Sequence, residues 1–144
     1  MLPTAKIPPT WSRINLDYLA FYGPADLKDQ HSRGIDSAVW DFRNDRMTLA
    51  FDYGMYSNDL KDLVSEPQYR ERWFMVDGRK AKVATFLLSE QSLADNSERG
   101  RPFIAAVYFP AVKRGGVKLS VWAYCIDNNT QEEAKKILFT IKFK

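Results

Sequence analysis

Two runs late in the chain, Phe103–Phe109 and Leu119–Ile126, are apolar at almost every position. Side chains alternate between the two faces of a strand. In the first run Phe103, Val107 and Phe109 would take one face, and Ile104, Ala106 and Tyr108 the other. A strand apolar on both faces has to be covered on both sides, which makes these central strands of a sheet. Lys113-Arg114-Gly115-Gly116 lies between the two runs and reads as the turn that pairs them. Whatever else the chain does, it must supply cover for both faces of that sheet.

One piece of cover is legible at the C-terminus. Ala134, Ile137, Leu138 and Ile141 recur at helical spacing behind Thr130 and Glu133, a Thr-x-x-Glu capping box with Thr130 as the expected N-cap. The remaining segments read mainly as strands. Trp11–Leu16 and Leu19–Tyr22 suit a hairpin or two edge strands, and Pro24–Asp29 could form a short helix with proline in its first turn. Ile35–Phe42 turns through Asn44-Asp45 into Met47–Tyr53, where Met47, Leu49, Phe51 and Tyr53 alternate with Thr48, Ala50 and Asp52. Tyr69–Val76 and Lys80–Leu88 flank Asp77-Gly78, a strong hairpin signal. The expectation is an α+β domain: an antiparallel sheet of about seven strands with a C-terminal helix packed on it. Since one helix covers only part of one face, the N-terminal hairpin, the 54–67 loop or a partner must cover the rest.

At 144 residues, 45% apolar and 27% charged, the chain has the composition of one folded domain rather than a disordered segment. Residues 1–10, with Pro3, Pro8 and Pro9, read as a stiff extended leader ahead of a domain spanning 11–144. Such a leader suits the mature start of an exported protein and a plain cytosolic N-terminus equally well. No apolar run approaches the roughly 20 residues of a membrane helix. A single cysteine, Cys125, excludes an internal disulfide. The formal charge is +3, with seven basic and ten acidic residues up to position 67 and fourteen against eight beyond it. Strands from the two halves interleave, so that asymmetry need not form a patch.

If the later strands form a simple meander, the long loops 54–67 and 89–101 and the link Asp127-Asn128-Asn129 share one end of the sheet. The candidate binding residues gathered there are Asp52, Tyr53, Tyr56, Asn58, Arg99 and Arg101. Tyrosines anchor by apolar area while presenting hydroxyls, and Asp, Asn and Arg add hydrogen-bonding capacity.

Several features resemble the PsbP/Mog1-like superfamily. Leu19-Ala20-Phe21-Tyr22-Gly23-Pro24 is similar to its early strand-then-proline pattern. Ala134–Phe143 is similar to its closing helix and short apolar tail. The resemblance implies an antiparallel meander and a binding or assembly role without a catalytic centre. It carries over no functional residue.

His31, the lone histidine, sits in a polar stretch without a Gly-x-Ser-x-Gly elbow, so it reads as a solvated loop residue. Cys125 falls in phase with Leu119, Val121 and Ala123 and reads as a small buried hydrophobe. Asp52, Ser57, Asn58 and Asp59, like Asp127-Asn128-Asn129, are oxygen-rich but match no EF-hand, and turns and caps require the same residues. Neither metal nor cofactor is expected. Tyr69-Arg70-Glu71-Arg72-Trp73-Phe74 interleaves basic and aromatic residues, yet the small net charge argues against nucleic acid. The expected function is a non-enzymatic binding or assembly module that recognises a protein partner through the long loops, with self-association left open. The alternative is a small hydrolase or lyase with Asp52, Tyr53, Tyr56 and Arg101 in acid–base roles.

Overall fold

In chain order the strands are β1 (Trp11–Asn15), β2 (Leu19–Pro24), β3 (Lys28–Asp29), β4 (Ala38–Arg43), β5 (Met47–Gly54), β6 (Arg70–Val76), β7 (Arg79–Leu87), β8 (Phe103–Lys113), β9 (Val117–Cys125) and β10 (Lys142–Phe143). Helix α1 spans Glu90–Ala94 and α2 spans Asn128–Phe139. The computed structural model describes residues 7–31, 38–55, 57–94, 98 and 100–144. No described helix is long and apolar enough to cross a membrane.

The double-faced runs are central strands. β8 and β9 sit side by side in a seven-stranded antiparallel sheet of order β3-β4-β5-β9-β8-β7-β6, and α2 packs on it. The domain is α+β. One face carries Leu49, Phe51, Val83, Val107, Phe109, Val121 and Cys125, closed over by Ala134, Ile137 and Leu138 of α2. The same face also receives a second, three-stranded sheet of order β1-β2-β10. Its Phe21 lies 4.9 Å from Phe51 and 5.4 Å from Phe42, ring centre to ring centre. Gly23 permits this layering: a Cβ there would stand 2.9 Å from Leu27 Cδ1 and 3.7 Å from Ile137 Cδ1. The short apolar tail therefore ends as a strand, with Lys142 opposite Ala20 and Phe143 opposite Leu19.

The other face is covered by chain rather than by helix. β5 is inserted between β4 and β9, so β5 and β6 run in the same direction. The segment joining them must travel the length of the sheet, and it crosses the face opposite α2. Leu60, fully buried on that segment, packs among Ala84, Phe86, Leu88, Ile104, Ala106 and Tyr108. This overturns the simple meander. The 54–67 loop leaves β5 at the end that holds the Asp77-Gly78 turn, while the 89–101 loop and Asp127 lie at the end of the Asn44-Asp45 turn. Loop parity fails because β5 takes β9, and not the next strand β6, as its neighbour.

Three further expectations are corrected. Pro24–Asp29 is not helical: Leu27 N–H bonds Pro24 O in a turn, and Lys28 and Asp29 pair with Arg43 and Phe42. One helical turn would gain little, whereas this path buries Leu27 and extends the sheet edge. Helix α2 begins before Thr130. Its N-cap is Asp127, extended at φ −154°, whose Oδ1 accepts the Thr130 N–H at 2.8 Å. An aspartate at the exit of β9 caps as well as a threonine and frees Thr130 to lie buried. Within the 89–101 loop, α1 forms behind Ser89, whose Oγ accepts the Ser92 N–H.

Candidate functional site

The crossing segment borders a hollow that contains Asp52 and Asn58. Ser57 Oγ donates to Asp52 O at 2.7 Å, pinning the segment to the end of β5. Asn58 Oδ1 then accepts the Leu60 N–H at 2.7 Å, fixing the turn that drives Leu60 into the sheet. Beside this turn the outward side chains of three strands line up. Asp52 stands between Val39 and Ser120, and one step along the sheet Ala50 stands between Asp41 and Trp122. Ala50 is small, so the bulk of its neighbours leaves a depression over it. The result is a hollow of about 360 Å³ walled by Val39, Asp41, Asp52, Asn58, Trp122 and Tyr124.

Its walls are chemically distinct. The Trp122 and Tyr124 rings stack at 6.0 Å and 29°, and the edge of Phe86 supports Trp122 at 5.8 Å and 87°. Both rings are half-buried. Asp52 Oδ1 is buried and has no hydrogen-bond partner among the described residues. Leaving a buried acceptor unmade costs about 1–3 kcal/mol, so an unsatisfied oxygen on a residue that lines a hollow is a place for a donor. Among the described residues no three His, Cys, Asp or Glu side chains are grouped to hold a metal ion.

The other expected site residues go elsewhere. Tyr53, next to Asp52 in a strand, necessarily faces the opposite side; it is buried in the core and stacks on Tyr18 at 4.6 Å and 4°. Tyr56 and Arg99 lie outside the described residues. Arg101 is at the far end of β5, donating to Asn44 O at 2.9 Å and to Thr48 Oγ1 at 3.4 Å. Thr48 is four residues from Asp52, roughly 13 Å along a strand. Glu98 joins Arg101 to Arg43, at 4.0 Å and 2.9 Å respectively. Burial, then the nearby Arg43 charge, lowers the Arg101 pKa, and Glu98 opposes both. Arg101 thus fastens its loop to the Asn44-Asp45 turn. His31 is solvated, with its backbone N–H on Asp29 Oδ1. Cys125 is buried in the core, and burial pushes its thiol up to about 12.

Asp52 and Asn58 are therefore brought together, without Tyr53 or Arg101. Asp41, Trp122 and Tyr124 were not anticipated. Ser120, Trp122 and Tyr124 share one parity of β9, and two aromatics with polar tips on a single face were the available signal. No protein-family model matches this chain, and no curated protein matches it.

Proposed function

We propose that the chain is a non-enzymatic binding module that takes a cationic side chain of a protein partner into the hollow beside Asp52. The observation that carries this reading is the buried, unpartnered Oδ1 of Asp52, a residue that lines one hollow together with the half-buried rings of Trp122 and Tyr124. An ammonium or guanidinium group supplies only donors, which is what that oxygen lacks. Trp122 and Tyr124 offer the ring faces that attract such a cation, more strongly where water is excluded. Asp41 adds negative charge to the wall, and Asn58 supplies a polar rim of the kind that surrounds protein contacts. The PsbP/Mog1-like resemblance belongs to the same proposal, since a binding or assembly role agrees with it. The acid–base alternative would bring Asp52, Tyr53 or Tyr56, and Arg101 around one substrate atom; the sheet holds Asp52 and Arg101 at opposite ends and Tyr53 on the opposite face, and Tyr56 lies outside the described residues.

Titration with short lysine- and arginine-containing peptides, followed by calorimetry, tests this reading. Saturable binding of the basic peptides is expected, with glutamate peptides inert. Asp52→Asn keeps size and should weaken binding by about tenfold or more without shifting the melting curve. Equal affinity in the Asp52→Asn and Trp122→Leu variants would show that the hollow is not the recognition site.

A further inference from the structure

A second surface differs from the Asp52 hollow in position and charge. β6 is the last strand of the seven-stranded sheet and pairs only with β7 among the described residues. Its other edge therefore presents unpaired backbone groups, a template for another strand. The alternation along β6 is ordered by chemistry. Phe74 meets Phe139 of α2 at 5.0 Å, and Val76 is in the core, so Arg70 and Arg72 lie on that same α2-facing side. They line a groove of about 440 Å³ between β6–β7 and α2, with Gln131 and Lys135 on its helical wall. The opposite side of the strand exposes Trp73 and Met75, 53% and 47% accessible, with Lys82 and Lys80 directly across on β7.

The carboxylates of this groove have polar partners, whereas its arginines have no carboxylate partner among the described residues. Glu132 pairs with Lys135 at 3.5 Å, and Glu71 accepts the Tyr69 hydroxyl at 3.1 Å. Arg70 and Arg72 form no ion pair among the described residues, and Arg72 rests against the Phe74 ring at 5.8 Å. We propose that the β6 edge captures an extended segment of a partner protein in which acidic and apolar residues alternate. The added strand would lay its carboxylates along Arg70 and Arg72 and its apolar side chains along Trp73 and Met75. Backbone pairing supplies affinity in such strand addition, and the alternating side chains supply selectivity. A second copy of this chain is a poorer occupant. Antiparallel β6–β6 pairing keeps both copies' arginines on one face, where four cations would crowd together.

The test is fluorescence anisotropy with a labelled short peptide of alternating glutamate and valine. Saturable, salt-weakened binding is expected, reduced about tenfold or more by Arg70→Gln with Arg72→Gln at an unchanged melting temperature. N-methylation of every peptide amide should weaken binding to a similar degree, because it removes the strand's donors. Binding should persist in Asp52→Asn, which separates this surface from the hollow. The proposal is overturned if the peptide fails to bind, if a lysine–valine peptide or its N-methylated form binds as well, or if oligothymidylate binds more tightly. A concentration-dependent dimer abolished by the double variant would assign the edge to self-pairing and overturn it too.

Discussion

Replacing Leu60 by alanine tests whether the crossing segment is part of the core. Leu60 is fully buried on the face opposite α2, yet its backbone sits at φ 67°, ψ 11°. Holding a non-glycine residue in that left-handed region costs about 1–2 kcal/mol. The side chain must return more than this or the turn would open. Removing its outer carbons forfeits roughly 0.8 kcal/mol for each buried methylene-sized group, and the cavity left among Phe86, Ile104 and Tyr108 adds to the loss. Leu60→Ala should therefore lose about 2–5 kcal/mol. For a chain of this size the melting temperature should drop by roughly 5–15 °C. Leu60→Gly removes little more bulk but relaxes the backbone, so it should fall within about 1 kcal/mol of the alanine variant. Urea denaturation with a constant m-value measures both. A loss below about 1 kcal/mol for Leu60→Ala would refute the claim that this segment is seated on the sheet.

Three other outcomes follow from the same geometry. The Thr130 backbone N–H holds the Asp127 carboxyl below the usual aspartate range, so its stabilisation is present above the unfolded pKa near 4 and lost as pH falls through the lower folded value. Asp127→Asn should flatten the acid limb of stability below about pH 4, read from urea midpoints across that range; an unaltered limb would contradict the cap. Cys125, with its thiol raised to about 12 and fully buried, should react with aromatic disulfide reagents only as fast as the protein opens, whereas immediate labelling of native protein at mildly alkaline pH would place it at the surface. Arg101→Met should cost about 1–3 kcal/mol by taking the donor from Asn44 O, while leaving peptide binding at the Asp52 hollow unchanged; lost binding without lost stability would mean that Arg101 belongs to the site after all.

The sequence by itself determined what local chemistry and burial period can determine. Apolar residues at both parities of 103–109 and 119–126 demanded central strands, and no arrangement that exposes either face would satisfy them. The helical spacing of Ala134, Ile137 and Leu138 specified α2 and the face it buries. Asp77-Gly78 specified its hairpin, because both residues accept positive φ, 49° and 74°. The phase that put Cys125 with Val121 and Ala123 held for the same reason.

Strand order was decided only by the tertiary structure. Periodicity says which side of a strand is apolar but not which neighbour it will take, and the choice of β9 over β6 as the partner of β5 is a contest between whole-strand packings. Everything at the candidate site hangs on that choice. It sends residues 57–69 across the sheet, carries Asp52 and Asn58 to the opposite end from Arg101, and leaves Asp52 on one face with Trp122 and Tyr124, about seventy residues away in sequence. Tyr53 could have been assigned from alternation alone, since a strand cannot aim adjacent side chains the same way. The exchange of Thr130 for Asp127 as cap was likewise a tertiary decision, made by where β9 releases the chain and not by the capping residues' own chemistry.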